Sequence, residues 1–184
     1  DNSLGYDFVS NAFLIFEEHL VVSRDQFSAL LLICGTLDRV RSSIHDQAFD
    51  ALVNRTTRHA SRLLTKADQC LALCGATILF RGERTSADNK SSLLACLERA
   101  RDVAESCLSQ AERALLLTDV LMRVLYYYEE KNLQGHDWDI AGLFGRVTSL
   151  SANIMTDDSV GRLVASRLAR ASGWFDTIVS RRGG

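Results

Sequence analysis

The chain has 184 residues, 47% hydrophobic and 24% charged, a balance that excludes fibrous and disordered classes and supplies enough apolar material for a sizeable core. Its 21 basic and 23 acidic side chains leave a net charge of −2, without the cationic excess that holds a nucleic-acid backbone, so no nucleic-acid partner is expected. No apolar run reaches the roughly 18 residues that would cross a bilayer, so no membrane span is expected.

The opening segment, DNSLGYDF, has no basic n-region or cleavage site of a signal peptide, and the chain is expected to be a section of a longer one. The chain has no proline, so helix boundaries must be read from caps. Phe8, Ala12 and Ile15 mark a first helix over about 4–20. Ser23-Arg24-Asp25-Gln26 has the spacing of a capping box and opens a second, 24–42, with Phe27, Leu30, Leu31, Cys34 and Leu37 on one stripe. Phe49, Leu52, Val53, Thr56, Ala60 and Leu63 give a third over 44–64, and Thr65-Lys66-Ala67-Asp68 caps a fourth over 67–80.

The polar stretch RGERTSADNK, residues 81–90, is the longest break, with Gly82 as a helix stop. Leu93, Leu97, Ala100, Ala104 and Cys107 carry a helix over 91–107, and Ser109-Gln110-Ala111-Glu112 opens the next over 110–132. After Gly135, a further stop, come helices 137–155 (Ile140, Leu143, Phe144, Val147, Leu150, Ile154) and 157–180 (Val160, Leu163, Val164, Leu168, Ala171, Phe175). No stretch alternates with period two for long enough to make a strand. The eight helices group as pairs over about 4–42, 44–80, 91–132 and 137–180. Each pair has roughly the 40-residue period of HEAT-like hairpins, which predicts one all-α domain, a right-handed α-solenoid.

The segment VLMRVLYYYEEKN, residues 120–132, sets three tyrosines on directions 100° apart. Ala114, Leu117, Leu121, Val124 and Tyr128 form one stripe and Leu116, Val120 and Tyr127 a second. A helix apolar on two sides has neighbours on both. Tyr126 is left over, either packed beneath a loop or presented to a partner.

Recognisable catalytic motifs are missing: the chain has no phosphate loop, GxGxxG, HExxH or nucleophile elbow. The His residues 19, 45, 59 and 136 are scattered, His136-Asp137 sits in a turn, and adjacent carboxylates such as Glu17-Glu18 and Glu129-Glu130 point apart on a helix. Cys70 and Cys74 share a helical face, but zinc needs four ligands and His59 lies before a helix break. The five cysteines, at 34, 70, 74, 96 and 107, read as reduced packing residues. Arg162, Arg167, Arg170, Arg181 and Arg182 on the last helix suit its C-terminal dipole or an acidic partner. No enzyme activity, metal or cofactor is expected.

Several segments carry a resemblance to a known family. YDFVSNAFLIFEE (6–18), LICGTLDRV (32–40), LLTKADQCLAL (63–73), CLERARDVAESCL (96–108) and RVLYYYEEKN (123–132) keep the order and spacing of blocks in the C-terminal part of vacuolar protein sorting-associated protein 35, the α-solenoid scaffold of retromer. Ala67 stands where that family usually has proline, and Arg81 where an aromatic commonly follows Leu79-Phe80. The resemblance implies a non-catalytic scaffold, cytoplasmic and peripheral on endosomal membranes. It implies as partner the phosphoesterase-fold subunit, vacuolar protein sorting-associated protein 29, with a second scaffold copy and regulators of endosomal sorting as further ones. Candidate contacts are Phe80, Arg81, Tyr126, Glu130, Trp138 and Trp174, because large aromatics and Arg dominate binding hot spots. The competing expectations are a helical-repeat adaptor that takes a peptide in its groove and an RNA-reading repeat, the latter disfavoured by charge.

Overall fold

A computed structural model of the chain describes residues 2–81, 87–130, 138–154 and 159–182. The proposed stops at Gly82 and Gly135 and the His136-Asp137 turn lie outside them. The described residues form eight α-helices and no strand: α1 (Asn2–His19), α2 (Ser23–Val40), α3 (Asp46–Ala60), α4 (Lys66–Ala76), α5 (Ala87–Glu105), α6 (Gln110–Glu129), α7 (Ile140–Ala152) and α8 (Ser159–Arg182). Short 3-10 turns follow α2 at Arg41–Ser43 and α4 at Thr77–Phe80. The fold is all-α, of the helical-repeat class, and it divides into two compact units, residues 1–99 and 100–184.

The entries to α2, α4 and α6 repeat one local design. Thr65 and Ser109 are N-caps whose hydroxyls accept from the amides of Asp68, at 3.0 Å, and Glu112, at 3.3 Å. Just inside each helix a long side chain reaches back six residues to a carbonyl. Gln26 donates to Leu20 and Gln69 to Leu63, both at 2.7 Å, and the guanidinium of Arg113 donates twice to Cys107. These donors satisfy a turn carbonyl that would otherwise lose its partner on burial. The three entries lie 43 and 44 residues apart at Val22, Thr65 and Ser109, which gives the repeat period directly.

The first entry departs from the expected capping box. The helix starts one residue earlier than Ser23 would require, so Val22 takes the N-cap position with extended backbone and no side-chain cap. The register is set by the Gln26–Leu20 clamp, which places Val22 opposite Thr65 and Ser109 in the repeat.

In the first unit α2 packs on α1, α3 and α4, and α3 on α4. Phe13, Leu30, Leu37, Leu73, Leu79, Leu93 and Leu97 are fully buried. On α1 the buried stripe is Val9, Phe13 and Phe16, one position on from the expected Phe8, Ala12 and Ile15. The helix is apolar on both sides, and α3 claims the Phe13 side: Arg55 lies over the Phe13 ring at 4.7 Å and His59 meets the Phe16 ring edge-on at 4.9 Å. Glu17 accepts from Arg55 through both carboxylate oxygens, at 2.9 and 2.6 Å, and sits 2.7 Å from His59 Nε2. Those contacts, Arg55 first, hold the Glu17 carboxyl below its usual range.

In the second unit α6 packs against both α7 and α8, which explains its two apolar stripes. Ala114, Leu116, Leu117, Val120, Leu121, Val124, Leu125 and Tyr127 are all buried. Among the tyrosines, 127 is the core residue, and 126 and 128 are half-buried. Arg167 of α8 pairs with Asp119 of α6, and Arg146 of α7 makes a twofold pair with Glu105 of α5, 3.0 Å on each arm.

Three measurements check this account. Val22→Thr supplies the missing cap and raises stability by about 1 kcal/mol, read as a higher Tm. Leu121→Ala removes a residue with 0% exposure and costs about 2–5 kcal/mol in denaturant melts. The depressed Glu17 carboxyl stabilises the fold above its unfolded value of 4.5, and this contribution is lost as pH falls through the lower folded value. The stability deficit of Glu17→Gln at pH 7, under about 1 kcal/mol because the pair is half-exposed and read as a lower Tm, therefore closes on acidification below 4.5.

Candidate functional site

Phe80 and Arg81 sit where α4 runs out into a 3-10 turn, and the C-terminal end of α2 fixes that corner. Arg41, just past α2, donates its guanidinium to the Leu79 carbonyl while lying 4.8 Å over the Phe49 ring. Asp38, on the last turn of α2, pairs with Arg81 at 3.7 Å. The Arg81 amide closes the turn onto the Ile78 carbonyl at 3.2 Å. The outcome is asymmetric: Phe80 is 8% exposed, with its ring turned into the fold, and the Arg81 side chain is 42% exposed. Of the two, Arg81 presents itself to solvent.

Beside Phe80 a cleft of about 480 Å³ opens between the end of α3, α4 and the first part of α5. Its apolar floor is Leu73, Phe80, Ala95 and Cys96, and its rim carries Arg58, Arg62 and Arg99. The expectation of basic docking residues centred on α8; this grouping arises from residues 41 positions apart in sequence and no periodicity announces it.

The other four candidates belong to the second unit. Tyr126 is half-buried and meets the Tyr127 ring edge-on at 5.0 Å. Glu130 is exposed and closes α6, its amide donating to the Tyr126 carbonyl at 3.0 Å. Trp138 is half-buried under the Arg101 guanidinium, 5.5 Å from the ring centre. Trp174 on α8 is half-buried next to Phe175, whose ring stacks on Phe144 of α7 at 4.7 Å. The fold thus brings Tyr126 and Glu130 to one helix end and keeps each Trp partly accessible.

A second surface was signalled only by the extra apolar residues of the first two helices. Phe8, Ala12, Ile15, Leu32 and Ile33 line a groove of about 260 Å³ between α1 and α2, in which Phe8 is 63% and Leu32 72% exposed. The repeat explains what this face is. Leu32 stands 43 residues before Gly75, and Gly75 is covered by α2 so closely that a Cβ there would meet Leu31 at 2.7 Å.

The cysteines stay within the core. All five are buried thiols without a disulfide, and burial raises the Cys34 and Cys96 thiols to about 12. Among the described residues no three His, Cys, Asp or Glu side chains gather as metal ligands, and no helix is long and apolar enough to cross a membrane.

Comparison with known proteins gives this geometry a family. Residues 1–149 match the family model described as Vacuolar protein sorting-associated protein 35. The chain is 32% identical over 130 residues, 68% of its length, to the protein of that name in Schizosaccharomyces pombe (strain 972 / ATCC 24843). It is 33% identical over 138 residues, 71% of its length, to vacuolar protein sorting-associated protein 35A of Arabidopsis thaliana, and 32% identical over 142 residues, 72% of its length, to 35C of the same plant. Each match spans 15 to 18% of the relative's own length. A family match over most of the chain, with every described element helical, leads to one conclusion: the chain belongs to the vacuolar protein sorting-associated protein 35 family.

Proposed function

We propose that this chain is a non-catalytic section of a retromer scaffold that seats the phosphoesterase-fold subunit, vacuolar protein sorting-associated protein 29, for retrieval of cargo from endosomes to the Golgi and plasma membrane. The carrying observation is the family match over residues 1–149, which includes five of the six candidate contacts. The half-exposed aromatics support the reading: Tyr126 and Trp174 each offer a rigid apolar body with a polar tip, the combination enriched at protein interfaces. In the first unit Arg81, held in place by Asp38, offers a fixed cation of its own. In the second unit Glu130 and Trp138 join Tyr126 and Trp174 as candidate contacts, while in the first Phe80 acts by shaping the corner that carries Arg81.

The chain is, in this reading, one part of a longer stack of helical hairpins, located in the cytoplasm and peripheral on endosomal membranes. The groove at Phe8 and Leu32 supports that arrangement, because the equivalent face around Gly75 is covered by the preceding hairpin. A second scaffold copy and regulators of endosomal sorting are further partners on the same grounds of family.

Calorimetric titration with the phosphoesterase-fold subunit from the same source tests the proposal. A Kd of micromolar or tighter, about −8 kcal/mol, is expected, with Tyr126→Ala and Trp174→Ala each weakening it by more than about 0.5 kcal/mol. Absence of binding by a folded, helical chain overturns the assignment of partner.

A further inference from the structure

The cleft beside Phe80 has a charge pattern that packing does not require. Eleven of the described residues line it: Asn54, Thr57, Arg58, Ser61 and Arg62 from the end of α3 and the turn after it, Leu73 and Phe80, and Ser92, Ala95, Cys96 and Arg99 from α5. Among these described residues three are cations and none is a carboxylate, in a chain whose net charge is −2. Among the described residues, Arg55, Arg81, Arg101, Arg146 and Arg167 all pair with acids, and Arg58, Arg62 and Arg99 pair with none.

The negative end of the α3 dipole explains how Arg58 and Arg62 stand near one another without a counter-ion. It does not account for Arg99, which comes from α5 and completes the rim on the facing wall. Donors and acceptors are also unevenly divided. The hydroxyl protons of Thr57 and Ser61 are already committed to backbone carbonyls of α3, which leaves the Asn54 amide and Ser92 hydroxyl to join three guanidinium forks. A site with this composition asks for a compact ligand rich in acceptor oxygens and negative charge.

We infer that the cleft binds a small molecule bearing several phosphate groups. Each phosphate monoester carries about −1.5 to −2 charge and three acceptor oxygens, so two of them balance the three arginines, and guanidinium forks match phosphate geometry in pairs. The volume of about 480 Å³ lies within the roughly 300–1,000 Å³ of small-molecule sites. Leu73 and Phe80 give the carbon frame of such a ligand an apolar floor. Cys96, its thiol raised to about 12 and directed at the Leu73 carbonyl at 3.4 Å, contributes shape and no reactivity. This site goes beyond the scaffold reading and needs no partner subunit, so either can fail alone.

The test is calorimetry on the whole chain with inositol hexakisphosphate as probe. Binding that weakens with salt is expected, with a loss of at least tenfold for Arg58→Ala/Arg62→Ala/Arg99→Ala. The exposed arginines Arg24 and Arg170 serve as the control: Arg24→Ala/Arg170→Ala stays within twofold. Circular dichroism verifies folding, and should the triple variant unfold, Arg99→Glu alone is expected to give the same tenfold loss. Vesicles carrying phosphatidylinositol bisphosphate distinguish the sources: retention on vesicles with weaker binding of the free compound assigns a lipid headgroup, and the reverse assigns a soluble ligand. No binding by the folded wild type, an unchanged affinity in the arginine variants, or tighter binding of a Glu-rich peptide than of the phosphate probe would overturn the inference.

Discussion

A hairpin made of two apolar helices has to reverse the chain and bury the reversal, and the backbone carbonyls in the turn must still find donors. That constraint organises much of this protein. The answer is the same at three entries: a side chain just inside the new helix, Gln26, Gln69 or Arg113, takes the carbonyl six residues back. The clamp fixes the angle at which the helix leaves the turn, and with it which stripe faces the neighbouring helix. The stripes then decide the packing, and the packing sets the corner at Phe80 and Arg81 and the exposure of Tyr126.

How much of this was readable in sequence depended on whether the determining contacts were local. The eight helices follow from periodicity, and Thr65 and Ser109 declare themselves as caps because a hydroxyl and an acid three residues on interact with the same turn of backbone. The same rule misplaced the start of α2 by one residue. Ser23 and Gln26 have the right spacing for a capping box, but Gln26 is engaged with Leu20, a competing contact that outweighs the box. On α1 periodicity pointed to the Phe8, Ala12 and Ile15 stripe, and the presence of Arg55 and His59 across from Phe13 and Phe16 selects the other one.

Sites assembled across helices were the least legible. Phe80 was a candidate partner contact in sequence; the contacts that fix the corner in which it is buried come from Asp38 and Arg41, some 40 residues earlier. Arg58 and Arg99 on helices, and Arg62 in the turn after α3, read singly as solvated surface. The longest basic run in the sequence lies on α8, where Arg167 is spent on Asp119. Charge in a run is visible in sequence, whereas charge left without a counter-ion is a property of the folded chain.

The buried thiols make the fold report on its own opening. A thiol raised to about 12 is ionised in roughly one molecule in 10⁵ at pH 7, and the thiolate is the species that alkylates or oxidises. Cys34 and Cys96 lie in the first unit, and Cys107, protected by its burial, in the second. Their rates of modification therefore clock how often each unit opens, with no label added and no residue changed.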